Sequence, residues 1–535
     1  MLAEEVSAEG RSAAAHLWWR GASIYQIYPR SFVDTNGDGV GDLPGITQKL
    51  DYVASLGVDA IWLSPFFTSP MHDFGYDVSD YRGVDPVFGT IGDFDLLVER
   101  AHSLNLRLII DQVYSHSSDQ HPWFEESRSS KENPRADWYV WADPKADGSP
   151  PNNWQSVFGG PAWHWDARRG QYYFHNFLPE QPDLNLHNRE VQDALLDVAS
   201  FWLDRGVDGF RLDAINFAMH DPQLRDNPPA TTGGKRTRPF DFQQHLFNQS
   251  HPDIVKFLER LRELTNRKGA RFTLAEVGGT DALDEMHAFT KGKGRLNSAY
   301  SFDFLNADAL TPSLVARVAK EWPENLGWPT WAFENHDAPR AISRWVGEAH
   351  REALARTKLL LLSALRGSII LYQGEELGLP QVDVPFERLR DPEAIANWPQ
   401  TLSRDGARTP MPWRSEEPNL GFSAGEPWLP AGENHRPLSV ERQEAESNSV
   451  LQFTRRCLKL RQSNDALRLG SMDIVEAGEQ ILVFDRTLDG QRVRCTFNLS
   501  DQDVPYTPQG SALLKSGSVG AASLGPYAGV IEDLA

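Results

Sequence analysis

FDLLVERAHSLNLRLIIDQVY (94–114) decides the fold, because an amphipathic stretch, FDLLVERAHSLN (94–105), runs straight into an apolar one, LRLIIDQVY (106–114). The same alternation recurs on both sides. Upstream lie SIYQIYP (23–29), the amphipathic TQKLDYVASLG (47–57) and DAIWLSP (59–65). Downstream lie VDGFRLDA (207–214), RFTLAEV (271–277), YSFDFL (300–305), PTWAFENHD (329–337) and SIILYQGEE (368–376). Alternating strand and helix signals read as parallel βα units. Eight such strands predict an α/β protein whose sheet closes into a (β/α)₈ barrel.

Two intervals break the pattern. Residues 115–182 are rich in Trp, Pro, Gly, Asn and Asp, too long for a plain connection, and read as a subdomain inserted after strand 3. A long loop at about 379–447 follows strand 8. After the helix-like SVLQFTRRCLKLRQ (449–462), ILVFDRTLDGQRVRCTFNLS (481–500) alternates around Asp489-Gly490, a hairpin signal. The expected division is a barrel over 1–114 and 183–465, the insertion over 115–182, and an antiparallel β-domain over 466–535.

At 535 residues the chain needs more than one core, and 40% hydrophobic with 24% charged residues is ordinary for a globular protein. A net charge of −21 repels phosphate backbones and anionic lipid, so neither nucleic acid nor membrane is an expected partner. Seventeen Trp suit a surface that stacks on sugars, although most Trp in a large protein pack in its core. Two cysteines, Cys457 and Cys495, make no disulfide framework. The acidic start MLAEEVSAEG lacks the charge and apolar run of a signal peptide, and no run of about 18 apolar residues occurs. A cytoplasmic monomer or homodimer is expected.

Barrel proteins place their chemistry at the C-terminal ends of strands. Those ends carry Asp111 and His116, Arg211 and Asp213, Glu276, and His336 with Asp337. So many like charges in one mouth are costly to assemble unless a reaction uses them. Arg211 and Asp213 stand two residues apart on one strand and share a face, so the guanidinium can hold the carboxylate ionised.

DQVYSH (111–116), GFRLDA (209–214), AEVG (275–278) and FENHD (333–337), in that order, resemble the motifs of the α-amylase family of glycoside hydrolases, family 13. QPDLN (181–185) is similar to the form in its α-glucosidase and oligo-1,6-glucosidase branch, and the likeness covers essentially the whole chain. The resemblance implies that Asp213 attacks the anomeric carbon, Glu276 serves as general acid and base, and Asp337 holds ring hydroxyls. It further implies that His116 and His336 bond sugar hydroxyls. Asp73 and Tyr76 of DFGYDV (73–78) would bind the terminal glucose, and Arg408 of RDGARTPMPW (404–413) would reach the sugar or pair with loop acids. Retention requires the two reacting carboxyls to lie roughly 5–5.5 Å apart.

DTNGDGVGD (34–42) sets Asp34, Asn36, Asp38 and Asp42 at alternate positions, with the Val40 carbonyl between the last two. Oxygen donors so spaced, with the family's precedent, suit a structural Ca²⁺, with Mg²⁺ as the alternative. Many amylases bind another calcium through an Asn just before the motif histidine; Ser115 stands there instead. No metal is expected in the chemistry.

Ala214 follows the nucleophile; in similar proteins Ala or Thr there accompanies α-1,4 or sucrose preference, and Val accompanies α-1,6. Such a difference is worth only about 1–3 kcal/mol. Glu375 and Glu376 of YQGEELGLP (372–380) either line the acceptor side or sit at a helix N-terminus. The expectation is an exo-acting, retaining α-glucosidase that acts on α-1,4 bonds of maltose-sized substrates, with transglucosylation as a side activity. Sucrose hydrolysis, α-1,6 hydrolysis and a trehalose-forming isomerase share the machinery. A non-catalytic transporter subunit would have lost its acids and carried an anchor, and this chain shows neither feature.

Overall fold

A computed structural model describes residues 17–231, 236–269, 271–279, 281–292, 294–323, 327–401 and 403–534. The acidic start of the chain (1–16) lies outside the described residues.

Eight parallel strands close into a (β/α)₈ barrel: β1 Ser23–Ile27, β2 Ala60–Leu63, β3 Arg107–Val113, β4 Gly209–Asp213, β5 Phe272–Val277, β6 Ser298–Ser301, β7 Trp328–Ala332 and β8 Ser368–Tyr372. β1, β2, β4, β5, β7 and β8 are buried at every residue, because a parallel strand packs on the barrel interior and on the helices outside. A helix follows each strand: α1 Leu43–Ser55, α2 Ile91–Ser103, α3 Arg189–Asp204, α4 Ile254–Arg267, α5 Ala282–Thr290, α6 Pro312–Lys320, α7 Arg351–Ala364 and α8 Val450–Ser463. Thr90 and Asp93 form a capping box that starts α2, and Phe94, Leu97, Val98 and Ala101 bury its apolar stripe.

Strand β6 starts two residues before the expected YSFDFL and ends at Ser301, where Asp303 N donates to Ser301 Oγ and turns the chain. Strand β7 stops at Ala332, so FENHD lies in the loop beyond it. Asn335 Oδ1 accepts from the Asp337 and Ala338 amides, making the turn that presents Asp337.

Between β3 and β4 lie a short helix, Pro122–Ser129, and a three-stranded sheet of Trp141–Ala142, Trp163–Asp166 and Gln171–Phe174. The excursion after β4, residues 214–253, packs against it: Trp154 Nε1 donates to Arg225 O at 2.8 Å and Asn248 Nδ2 to Asn176 Oδ1 at 2.9 Å. That second excursion was not among the expected long loops.

The C-terminal sheet is antiparallel, with β9 Ser471–Ala477, β10 Ile481–Leu488, β11 Gln491–Asn498, β12 Ser511–Ser516 and β13 Gly529–Asp533 in spatial order β9-β10-β11-β13-β12. Leu488 pairs with Gln491 across Asp489 (φ 48°) and Gly490 (φ 88°), the two positive φ angles of a tight hairpin turn. Cys457 on α8 and Cys495 on β11 are buried free thiols. Among the described residues no helix is long and apolar enough to cross a membrane.

Candidate active site

Register assembles the centre of the barrel mouth. It sets Asp111 beside Arg211 and Glu276 beside Tyr300, so residues from β3 to β6 converge without any loop. Arg211 is fully buried, and its Nη1 bonds Asp213 Oδ1 at 2.6 Å and Asp111 Oδ1 at 2.7 Å. Its Nη2 pairs with Glu276 Oε1. One guanidinium thus serves three carboxylates, and its face lies over the Trp62 ring at 5.0 Å. Glu276 also accepts from Tyr300 OH at 2.9 Å and from the Ala214 amide at 2.9 Å. Ala214 reaches that position in a left-handed conformation, φ 38° and ψ 42°.

Burial pushes the Asp213 carboxyl well up; Arg211 opposes this, and Glu276 and Asp111 add to it. Burial likewise pushes Asp111 up to about 6 against the pull of Arg211. Three acids around one cation hold an excess of negative charge, and such a cluster retains a proton more readily than isolated carboxyls do.

The remaining expected residues form one wall. Tyr76 stacks on His336, with ring planes 2° apart and its hydroxyl 2.6 Å from Nε2. Gln26 Nε2 lies 2.8 Å from His336 Nδ1, which assigns the ring proton to Nε2. Burial holds His336 down to about 3 and His116 down to about 4, so both are neutral hydrogen-bonding rings near pH 7. His116 Nε2 lies 3.1 Å from Tyr76 O, and Ser115 Oγ lies 2.9 Å from its Nδ1.

Arg408 is buried; it donates to Asp337 Oδ1 at 2.8 Å and to His336 O at 2.6 Å, so its partner is an acid of the site. Burial works to raise Asp337, but His336, Arg408 and Arg404 outweigh it and hold the carboxyl well below the usual range. Asp73 takes the other direction: burial pushes it up to about 6 despite Arg404 and Arg408.

Arg404 was not anticipated. It reaches Asp73 at 3.3 Å, Asp337 at 3.4 Å and Asp391 at 2.8 Å, tying the loop after β2 to the long loop after β8. Its only trace in the sequence is its place four residues before Arg408. The QPDLN motif assigns Gln181 no role; its Nε2 donates to Asp73 Oδ2 at 3.2 Å and lies 3.0 Å from His116 Nε2. Glu375 and Glu376 do not line an acceptor side; they start the short 3₁₀ helix Glu375–Leu377, the other alternative, and their carboxylates are taken by buried partners. Glu375 pairs with Lys358 at 2.6 Å, and Glu376 accepts from Tyr25 and Tyr52, each at 2.8 Å.

The loop of Asp34, Asn36, Asp38, Val40 and Asp42 stands apart from this mouth, beside Ser423. Asn36 N and Gly37 N donate to Asp34 Oδ1, Asp38 N to Asn36 Oδ1, and Val40 N to Asp38 Oδ1. Asp42 caps α1 through Gly45 N at 2.7 Å. The carboxylates of Asp34, Asp38 and Asp42 are not drawn within 4.8 Å of one another.

Acids and a guanidinium gathered at the C-terminal ends of a closed parallel barrel define the class, a barrel glycoside hydrolase. Comparison with known proteins agrees. Residues 26–470 match the alpha amylase catalytic domain. A probable alpha-glucosidase of Rhizobium meliloti (strain 1021) is 52% identical over 91% of this chain and 90% of its own length. An oligo-1,6-glucosidase of Parageobacillus thermoglucosidasius is 36% identical over 91% of each. Among solved structures, the alpha-glucosyl transfer enzyme XgtA superposes with a TM-score of 0.92 at 50% identity, covering 96% of this chain and 99% of that one. The chain belongs to the α-amylase family of glycoside hydrolases, family 13.

Proposed function

We propose that the chain is an exo-acting, retaining α-glucosidase that removes terminal α-1,4-linked glucose from maltose-sized oligosaccharides, with transglucosylation as a side reaction. The ion pair of Arg404 with Asp73, beside Asp337, carries this reading: it joins the loop after β2 to the long loop after β8 over the acids that would hold a terminal ring. Asp213 attacks the anomeric carbon, and Glu276 protonates the departing oxygen and later activates water. Asp337, Asp73, His116, His336 and Arg408 bond the ring hydroxyls over the Tyr76 floor, and Arg211 steadies the acids. Transfer is supported by XgtA, described as an alpha-glucosyl transfer enzyme.

The α-1,4 preference rests on Ala214. Its small side chain, beside the amide that bonds Glu276, leaves room for the acceptor sugar to sit at a different tilt. Initial rates on maltose, maltotriose, sucrose, isomaltose and trehalose, with the anomer of released glucose followed by NMR, test the whole reading. Faster cleavage of isomaltose than of maltose would remove the α-1,4 assignment, and initial release of β-glucose would remove retention.

The pH profile follows from three acids. Burial pushes Asp73 and Asp111 up to about 6 and the nucleophile Asp213 well up, and all three are needed charged, so kcat/KM is expected to fall on the acid side with a midpoint no lower than about 6. An acid limb near 4 would contradict this.

Oxygen donors at alternate positions of residues 34–42 fit a hard cation, and Ca²⁺ there would be held by Asp34, Asn36, Asp38, Asp42 and the Val40 carbonyl. Chelation is expected to lower Tm, and Ca²⁺ to restore it better than Mg²⁺; a Tm indifferent to chelator removes the site. The two buried thiols favour a reducing, cytoplasmic compartment.

A further inference from the structure

Away from the barrel mouth, two segments distant in sequence bring His187, His251 and Asp253 together, with one potential ligand atom from each within 4.8 Å of the others. His187 precedes α3 on the chain returning from the insertion. His251 and Asp253 end the excursion that begins at Ala214. The rings of His187 and His251 lie 5.0 Å apart, and that of His220 stands 5.2 Å from His187. All three side chains are half-buried, so an ion can enter from solvent.

Two further features mark this as more than a polar corner. Nε2 of His187 lies 2.8 Å from the His220 carbonyl oxygen, which places the ring proton on Nε2 and leaves Nδ1 with its lone pair. That is the outer-sphere bond which orients a metal-ligating imidazole. Asp253 occupies the N-cap position of α4 yet makes no side-chain capping bond. Its carboxylate is turned to the histidines and to Lys256, which holds Oδ1 at 2.7 Å. His251 stands beside that carboxylate, half-buried. Its Nδ1 takes only a 3.3 Å contact from the Asp253 amide.

The geometry points to a transition-metal site in which His187, His251 and Asp253 hold a Zn²⁺-class ion, with water as the fourth ligand. Two imidazoles and one carboxylate suit Zn²⁺, Ni²⁺ or Co²⁺ and discriminate against Ca²⁺, which takes oxygen ligands. The ligand atoms close further on an ion, since zinc bonds nitrogen and oxygen at about 2.0–2.2 Å. The ion staples the end of the insertion to the excursion after β4 and to α4, where the His251 amide already bonds Met219 O.

Calorimetric titration of the untagged full chain with ZnCl₂, and separately with NiCl₂, tests the site. One saturable event per chain is expected, with a rise in Tm that Ca²⁺ does not reproduce. The double variant His187→Gln/His251→Gln loses both. Asp253→Asn binds at least about tenfold more weakly, and circular dichroism with hydrolysis rates checks that each variant is folded. Absence of saturable binding by the unmodified chain, or undiminished binding by the double variant, overturns the proposal.

Discussion

Asp213→Asn is expected to give a folded protein whose maltose hydrolysis falls by about 10⁴-fold, about 5.5 kcal/mol of lost transition-state stabilisation. Asparagine keeps the shape and can still accept from Arg211, but it offers no anion to attack the anomeric carbon. The same change is expected to raise Tm at neutral pH. Burial, with Glu276 and Asp111, pushes the Asp213 carboxyl up, so the fold binds its proton more tightly than the unfolded chain does. Its contribution to stability is full below the unfolded pKa of about 4 and is lost as pH rises through the higher folded value. At pH 7 the ionised carboxylate is therefore a cost that a neutral amide removes. Rates and thermal melts of one preparation check both halves; turnover within tenfold of the unmodified chain would refute the assignment.

Glu276→Gln is expected to cost about 10³-fold on maltose, within the range for loss of a general acid. The loss should depend on the leaving group. The glucose expelled from maltose would be a poor alkoxide leaving group without the proton, whereas a nitrophenolate leaves without one. Formation of the glucosyl-enzyme from a nitrophenyl glucoside then survives, and its hydrolysis becomes limiting, which appears as a burst of phenolate. Equal losses on both substrates would mean that Glu276 only positions Asp213. Such a role is physically available, because Arg211 joins the two carboxylates and the Ala214 amide links them again.

The fold was legible because its signals are local. Each strand is a short apolar run, each helix carries its own stripe and cap, and Asp489-Gly490 specifies its own turn. Arg211 with Asp213 was legible for the same reason, since two residues apart on a strand means one face. Glu375 and Glu376 were misread on one alternative because a strand-end acid looks the same in sequence whether it faces a mouth or a buried lysine. Only Lys358 on α7 and the tyrosines Tyr25 and Tyr52 decide that, and they lie up to 351 positions away.

By itself, the sequence determined the order of βα units, the strand ends at which acids gather and the family they resemble, all set by patterns within a few residues. Tertiary structure alone decided which charges meet. Arg404 closes on Asp73 across 331 positions, one guanidinium is shared by Asp111, Asp213 and Glu276, and His187 meets His251 and Asp253. The physical reason is that a side chain's chemistry is intrinsic, whereas its field, its burial and its partners belong to the packed barrel. Thus Asp73 and Asp337, both aspartates at one mouth, are driven in opposite directions by their surroundings.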